Sequence, residues 1–287
     1  MKRPQWIAVG VAILLVAALY IATSSNLFGS SSARKPAARA EDRASGLSID
    51  SLVAHAKTHM SPSQINRIHF LETSASTAPE QERLHFYHQI AVFWRDTMKK
   101  VEPDEWFMPY AWYTAEAARL ENSEKSLTFA AHLLLNNLQA EKKPEFKIWQ
   151  ATQAKDLFQR SLKLNPGNDS AKVGLGAVIL YGGAGGPMEG IQMIRSVAEK
   201  DSTNVYAQKI LADASLESGQ LDKASERFKT IARLEPDNME AILRVADIAE
   251  QRGNKQEAIE WYGKLLPLIR IPEIRKEVEA RIAALKN

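Results

Sequence analysis

The sequence predicts an all-α protein that ends in a series of stacked helix pairs. From residue 47 onward, apolar residues recur every three or four positions, which is the spacing of one helix face. The alternation of apolar and polar residues that marks a half-buried strand is missing from this part of the sequence. Two consecutive segments also repeat one pattern at a spacing of 34 residues, and the matching positions are Ala212 and Ala246, Gly219 and Gly253, Ala224 and Ala258, and Phe228 and Tyr262.

The composition is that of an ordinary globular protein, and it excludes several kinds of site. The 287 residues suffice for one large domain or two small ones. Residues 1–46 carry six Lys/Arg and two Asp/Glu, a net charge of +4, so with a total of +3 the remainder sums to about −1 and is near neutral. We therefore expect no nucleic-acid partner. The absence of cysteine excludes disulfides, thiolate metal sites and cysteine nucleophiles.

The N-terminus predicts a membrane anchor. Residues 6–23 are uncharged and mostly apolar. At about 1.5 Å per residue they nearly cover a hydrocarbon core of about 30 Å. We predict a cytoplasmic tail over residues 1–5 and a transmembrane signal anchor over residues 6–23. The alternative is a cleaved secretory peptide, with Ala22 and Ser24 as the small residues before the cut.

The charges beside this segment bear on its orientation. Lys2 and Arg3 favour a cytoplasmic N-terminus, although Arg34, Lys35 and Arg39 lie on the other flank. A tail this short is more typical of a signal anchor. We therefore expect a single-pass protein of the bacterial inner membrane, with its C-terminal domain in the periplasm.

Two regions connect the anchor to the repeats. Residues 24–46 are small, polar and charged, which predicts a flexible linker. Residues 47–123 predict an N-terminal helical region. Within it, Ser61, Pro62 and Gln64 form the pattern of a capping box that starts a helix. Pro109 is expected to bend or interrupt a later helix.

From residue 124 the pattern predicts a solenoid of three to four helix pairs and a final capping helix. Only the positions where two helices touch have to repeat, because a side chain larger than a methyl group would push their backbones apart there. The predicted units lie near residues 124–168, 169–204, 205–238 and 239–272, with a cap over residues 273–287. The positions predicted to pack within and between pairs are Gly176, Gly190, Ala212, Ala224, Phe228, Ala246, Ala258 and Tyr262.

This pattern of small residues, rings and prolines at a 34-residue period resembles the tetratricopeptide repeat (TPR) family. The unit 205–238 carries it most clearly, with Leu211 and Pro236 at two further family positions. The chain as a whole is similar to Bacteroidetes-type membrane-anchored TPR proteins, a group of unassigned function. The resemblance implies a non-enzymatic scaffold that binds a protein or peptide through the first helix of each pair.

The resemblance also implies which residues line the binding groove. Transferred position by position, they are Tyr206, Lys209, Asp213, Leu216, Glu240, Leu243, Asp247 and Glu250. Asp213 and Asp247 stand where TPR proteins that hold a C-terminal carboxylate use asparagine, so we expect carboxylate ligands to be repelled. An acidic and partly apolar groove favours an extended or helical segment with basic and apolar residues.

Three other patterns carry little functional weight. His55 and His59, and His85 and His88, are spaced to share a helix face, but neither pair has the glutamate of a zinc protease motif. The glycine-rich stretch 182–190 lacks the Lys-Ser/Thr of a phosphate loop, so we expect a wide turn between helices. The aromatic residues in 85–94 and 105–113 are expected to be core, with a peptide groove as the alternative.

We therefore predict a membrane-anchored TPR scaffold at the periplasmic face of the inner membrane. It is not expected to be an enzyme or to hold a cofactor or metal. One alternative is an assembly factor for c-type cytochrome maturation, because the stretch 181–204 and the last two repeats are similar to the periplasmic TPR region of such factors. The alternative of another class is a metal-dependent enzyme that uses the histidine pairs.

Overall fold

The computed structural model describes residues 49–98, 103–183 and 186–286, which all belong to one compact unit, Ala40–Asn287. The predicted tail, anchor and linker lie outside the described residues. Within the described ranges no helix combines the length and the hydrophobicity needed to cross a membrane.

These ranges contain thirteen α-helices and one short 3₁₀ helix, and the all-α prediction is confirmed. The bounds of the N-terminal helices are α1 Ile49–Lys57, α2 Pro62–Thr77, α3 Glu80–Met98 and α4 Pro103–Glu121. The bounds of the following helices are α5 Glu124–Leu138, α6 Pro144–Leu164, α7 Asp169–Tyr181, α8 Pro187–Lys200, α9 Val205–Glu217, α10 Leu221–Leu234, α11 Met239–Gln251 and α12 Lys255–Leu265, then the 3₁₀ turn Leu266–Leu268 and α13 Pro272–Lys286.

The capping box at the start of α2 has the expected geometry. The Ser61 hydroxyl accepts a hydrogen bond from the Gln64 backbone N–H, and the Gln64 side chain accepts one from the Ser61 N–H. Pro62 occupies the first helical turn, where its missing N–H costs nothing. Helix α4, by contrast, runs through Pro109 without interruption.

Three asparagines start the first helices of successive pairs in the same way. Asn168, Asn204 and Asn238 precede α7, α9 and α11, and each Oδ1 accepts a hydrogen bond from the backbone N–H three residues on, at 2.8–2.9 Å. Between the two helices of a pair, Gly219 and Gly253 adopt φ values of 73° and 75°. A side chain is strained in that left-handed region, so glycine is favoured in both turns.

Helices α5–α12 form four pairs in a TPR-like solenoid. The partners α5/α6, α7/α8, α9/α10 and α11/α12 contact each other, and the second helix of each pair contacts the first helix of the next. The first helices α5, α7 and α9 also contact one another in succession. Helix α13 packs on α12 and completes the series.

The predicted packing positions lie in the interior at these contacts. Ala212, Ala224 and Phe228 belong to one buried cluster, which also holds residues of α11. Ala246, Ala258 and Tyr262 belong to a second buried cluster, against which α13 packs.

Helices α7 and α8 pack closely at two glycines. A Cβ atom built on Gly176 would lie 2.8 Å from the Gly190 carbonyl oxygen and 2.6 Å from Ile194. A Cβ on Gly190 would meet the Gly176 carbonyl oxygen. The two backbones can come this close only because both positions lack a side chain.

Candidate functional site

A cavity of about 450 Å³ lies along the first helices of the repeat pairs. Helices α9 and α11 supply most of its wall. The end of α7, the start of α6 and the turn that follows α5 supply the rest. Its lining residues are Gln139, Lys147, Tyr181, Lys209, Asp213, Leu216, Glu217, Glu240 and Arg244.

The charges in this cavity are unevenly paired. Lys209 Nζ lies 2.5 Å from a Glu240 carboxylate oxygen, across the gap between α9 and α11. The same ammonium is 3.8 Å from Asp213 Oδ2, outside hydrogen-bond distance. Lys209 is therefore bound to Glu240, and it acts on Asp213 through its charge across the longer distance.

The two acids on α9 are both disfavoured as anions. Burial raises the pKa of Asp213, with Lys209 opposing the shift and Glu240 adding to it. Burial also raises the pKa of Glu217, and the negative charge of Asp213 raises it further. Because Asp213 and Glu217 are four residues apart, they lie on one face of the helix and repel each other.

Tyr181, the last residue of α7, brings a hydroxyl to the same place. Its oxygen is buried and has no hydrogen-bond partner among the described residues. Burial raises the pKa of Tyr181, and the nearby charges of Glu217 and Asp213 raise it further. The hydroxyl therefore stays protonated and is able to donate or accept one hydrogen bond.

The structure divides the predicted groove residues into three groups. Four of them line the cavity, namely Lys209, Asp213, Leu216 and Glu240. Leu243 is exposed on α11, and Tyr206 packs edge-on against the His132 ring at 5.5 Å between centroids. Burial raises the pKa of Tyr206 to about 12.

The other two predicted groove residues bind within the protein. The Tyr262 hydroxyl donates to Asp247 Oδ1 at 2.6 Å and lies 2.9 Å from Glu250 Oε2. Arg281 of α13 donates to the same Glu250 oxygen at 2.7 Å. Asp247 and Glu250 thus join α11 to α12 and α13, and they do not line the cavity.

The comparison of two repeats explains the difference between the aspartates. Asp213 and Asp247 are 34 residues apart and occupy equivalent positions, as do Phe228 and Tyr262. The ring at 262 carries a hydroxyl that satisfies its aspartate, whereas the ring at 228 has none. Asp213 therefore has no such hydroxyl partner, and the cations that act on it are Lys209, at 3.8 Å, and Arg244.

Five lining residues were not predicted from the sequence, namely Gln139, Lys147, Tyr181, Glu217 and Arg244. Glu217 directly follows the predicted Leu216, and Arg244 directly follows the predicted Leu243. The helix face that lines the cavity is therefore wider than the set of positions predicted from the family. Tyr181 is the last residue of α7, and Glu217 is the last residue of α9. Because the two residues hold equivalent places at the ends of first helices, the repeat pattern could have predicted them together.

The histidine pairs lie away from this cavity. His55 and His59 stack edge-on, with 5.5 Å between ring centroids. His85 Nε2 lies 2.6 Å from the Gln89 amide nitrogen, and both His85 and His88 face a second cavity of about 440 Å³ between α2 and α3. Across the described ranges, no three side chains of the types that bind metals come together.

The repeat region matches a known family. Residues 210–269 match the tetratricopeptide repeat family. This part of the chain carries tetratricopeptide repeats, as the 34-residue period predicts. No curated protein matches the chain.

Several solved structures have a similar arrangement of helices. The structure of MamA from residue 41 to its end, from Desulfovibrio magneticus RS-1, is 20% identical, with 62% of this chain and 94% of that chain covered and a TM-score of 0.41. A second MamA structure is 15% identical, with 66% and 92% covered and a TM-score of 0.45. YrrB, described as a TPR protein with an unusual peptide-binding site, is 14% identical, with 74% and 97% covered and a TM-score of 0.42. No ligand of this chain follows from these similarities.

Proposed function

We propose that this protein is a scaffold that binds a segment of a partner protein in the cavity along its first helices. The observation that carries the proposal is the cavity itself, to which all four repeat pairs contribute side chains. Tetratricopeptide repeats are in general non-catalytic scaffolds that bind protein or peptide partners, and the proposal assigns no reaction to the chain.

The side chains around the cavity favour a segment with both basic and apolar residues. Leu216 lines the cavity, and Leu243 is exposed beside it on α11. Both are available to apolar side chains of a bound segment. The acids on α9, the half-buried Asp213 and the exposed Glu217, would attract basic ones.

We further propose that residues 6–23 hold the scaffold at the periplasmic face of the bacterial inner membrane. The support is the uncharged apolar stretch that follows Lys2 and Arg3. Tethering would raise the effective concentration of the cavity near partners in the same membrane without any new contact.

Fractionation of cells tests this location. The full chain should stay with the membrane after alkaline carbonate extraction, and a chain that lacks residues 1–46 should be released. Alkaline phosphatase fused to the C-terminus should be active only if that end reaches the periplasm. Extraction of the full chain by carbonate, or an inactive fusion, would overturn this part of the proposal.

Site-specific photocrosslinking tests the binding site. A photoreactive amino acid at Leu216, inside the cavity, should crosslink in intact cells to one discrete polypeptide, and the crosslink should map to one segment of that polypeptide. The same amino acid at the exposed Glu226, on the second helix α10, is the matched control and should give no such product. Asp213→Lys should abolish the Leu216 product.

Two outcomes would contradict the scaffold proposal. One is the absence of a discrete product at Leu216. The other is a product of equal yield at Leu216 and Glu226, because that result would show that the partner contacts the outer helix as often as the cavity.

A further inference from the structure

We infer that the cavity binds one positively charged side chain, an arginine or a lysine of the partner segment, between Asp213 and Glu217. This inference rests on the proposed function, and it names the chemical group that the site selects. It is carried by three features of the described residues, which concern Asp213, Glu217 and Tyr181.

The first feature is the difference between equivalent acids in two repeats. Asp247 receives a hydrogen bond of 2.6 Å from the Tyr262 hydroxyl, so the protein itself satisfies it. At the preceding repeat Phe228 replaces that tyrosine, and Asp213 is 3.8 Å from its nearest cation, Lys209. A half-buried carboxylate without a close donor favours a ligand that brings one.

The second feature is Glu217, one helical turn from Asp213. It forms no ion pair and no hydrogen bond with any residue that the structure describes. The two carboxylates lie on one helix face, where each disfavours the charge of the other. A cation placed between them would be attracted by both and would remove their mutual repulsion.

The third feature is the hydroxyl of Tyr181. It is buried beside these acids and has no partner among the described residues. A buried hydroxyl without a hydrogen bond costs free energy, and a ligand N–H group that donates to its oxygen recovers that cost. The oxygen is shielded from solvent, so this contact requires a small shift of the Tyr181 side chain. A guanidinium with five N–H donors, or an ammonium with three, has donors for both the hydroxyl and a carboxylate.

The cations already in the cavity do not replace such a ligand. Lys209 is bound to Glu240 at 2.5 Å. Arg244 and Lys147 act on Asp213 and Glu217 through charge alone, and burial still outweighs them at both acids. Because Lys147 and Arg244 could also attract an acidic ligand, an acidic probe belongs in the test.

Calorimetric titration of the full chain, purified in mild detergent, tests the inference. The probes are capped peptides Ac-Leu-Ala-X-Ala-Leu-NH₂ in which X is arginine, lysine, citrulline or glutamate. Citrulline keeps the shape of arginine without its charge. The arginine and lysine peptides should bind, and the citrulline and glutamate peptides should bind at least about tenfold more weakly. The order of arginine and lysine identifies which of the two the site prefers.

Four variants connect the binding to the named groups. Asp213→Asn and Glu217→Gln should each weaken the arginine peptide about tenfold. Phe228→Tyr should also weaken it, because the added hydroxyl would satisfy Asp213 as Tyr262 satisfies Asp247. Glu226→Gln removes the same charge from the outer helix α10 and should leave the affinity unchanged. Circular dichroism checks that each variant remains helical.

The inference is overturned if arginine and citrulline peptides bind equally, if glutamate binds best, or if no peptide binds. It is also overturned if Glu226→Gln weakens binding as much as Asp213→Asn. If the Leu216 crosslink nevertheless forms and depends on Asp213, the scaffold function stands and only the recognition of a basic side chain is wrong. If the crosslink also fails, the proposed function fails with it.

Discussion

Gly176 and Gly190 allow the backbones of α7 and α8 to pack closely, because neither residue has a Cβ atom. Each glycine faces the carbonyl oxygen of the other, and neither a backbone oxygen nor the start of a helix moves aside easily. The sequence predicted both positions as close crossings, because small residues recur where paired helices touch.

We predict that Gly190→Ala lowers the free energy of unfolding by about 1–3 kcal/mol, because the methyl group overpacks the crossing of α7 and α8. The matched control is Gly263→Ala in α12, where an added Cβ meets nothing within 4 Å. That change should stabilise the protein by up to about 1 kcal/mol through helix propensity. Urea denaturation measures both, and a stabilised Gly190→Ala variant would refute the close contact.

Other features at this scale were not predictable from the pattern of residue types. The sequence identified Phe228 and Tyr262 as equivalent packing rings, and both are buried. It did not indicate that the Tyr262 hydroxyl binds Asp247 and Glu250, because that contact depends on the relative position of α11 and α12. For the same reason, the family's groove positions predicted that Asp247 and Glu250 line the groove together with Asp213.

Among the elements, helix α5 connects three successive pairs through one side chain. The His132 ring packs edge-on against Phe158 of α6 at 5.0 Å and Tyr206 of α9 at 5.5 Å. Its Nε2 lies 3.0 Å from the Ser170 hydroxyl of α7. Burial lowers the pKa of His132, because a protonated ring would lose solvation here.

This burial predicts that the fold weakens in mild acid. As the pH falls below about 6.5, His132 takes up a proton in the unfolded chain before it does so in the folded one. The unfolded state then binds more protons, so the free energy of unfolding should fall until the pH passes the folded pKa. Urea denaturation at about pH 7.5 and about pH 5.5 measures the loss.

The variant His132→Gln should reduce this loss, since glutamine does not titrate. His69→Gln changes an exposed histidine on α2 and is the control. The explanation is refuted if the two variants keep the same pH dependence as the unchanged protein.

The order of the helices was largely predictable from the sequence. The 34-residue period and the Ser61 capping box predicted helix pairs and the start of α2, because both depend on neighbours in the sequence. The continuity of α4 through Pro109 was not predicted, since tertiary packing decides whether a proline ends a helix.

At the scale of the whole described solenoid, stability depends on contacts between adjacent helices. Helix α13 covers the last pair: Val278, Ile282 and Leu285 pack on the cluster around Tyr262, and Arg281 binds Glu250. In a repeat array an end without such a cover exposes apolar surface.

We predict that truncation after Ile271 loosens α11 and α12 and leaves the pairs α5/α6 and α7/α8 folded. Loss of α13 removes both the apolar cover and the Arg281 contact, while the earlier pairs keep their neighbours. Amide hydrogen exchange should show faster exchange in residues 239–265 and unchanged exchange in residues 124–200. The substitution Arg281→Ala alone should have a smaller effect, and uniform loss of protection along the chain would contradict the prediction.

The candidate site was predicted only in part. The sequence predicted Lys209, Asp213, Leu216 and Glu240, which lie on the first helices α9 and α11. It missed Tyr181 and Lys147, which come from earlier pairs, because the cavity forms only where successive pairs meet. The repeat pattern predicts how the two helices of a pair pack, but it does not predict which side chains of different pairs meet in a cavity.

The repeated asparagine caps have an evolutionary consequence. Asn204 and Asn238 begin successive pairs with the same bond between side chain and backbone, so residues 205–238 form an exchangeable cassette with matching ends. An in-frame duplication of this cassette would add one more first helix and a second copy of Asp213. The length of polypeptide that the protein holds could thus change by gene duplication, without redesign of any existing helix.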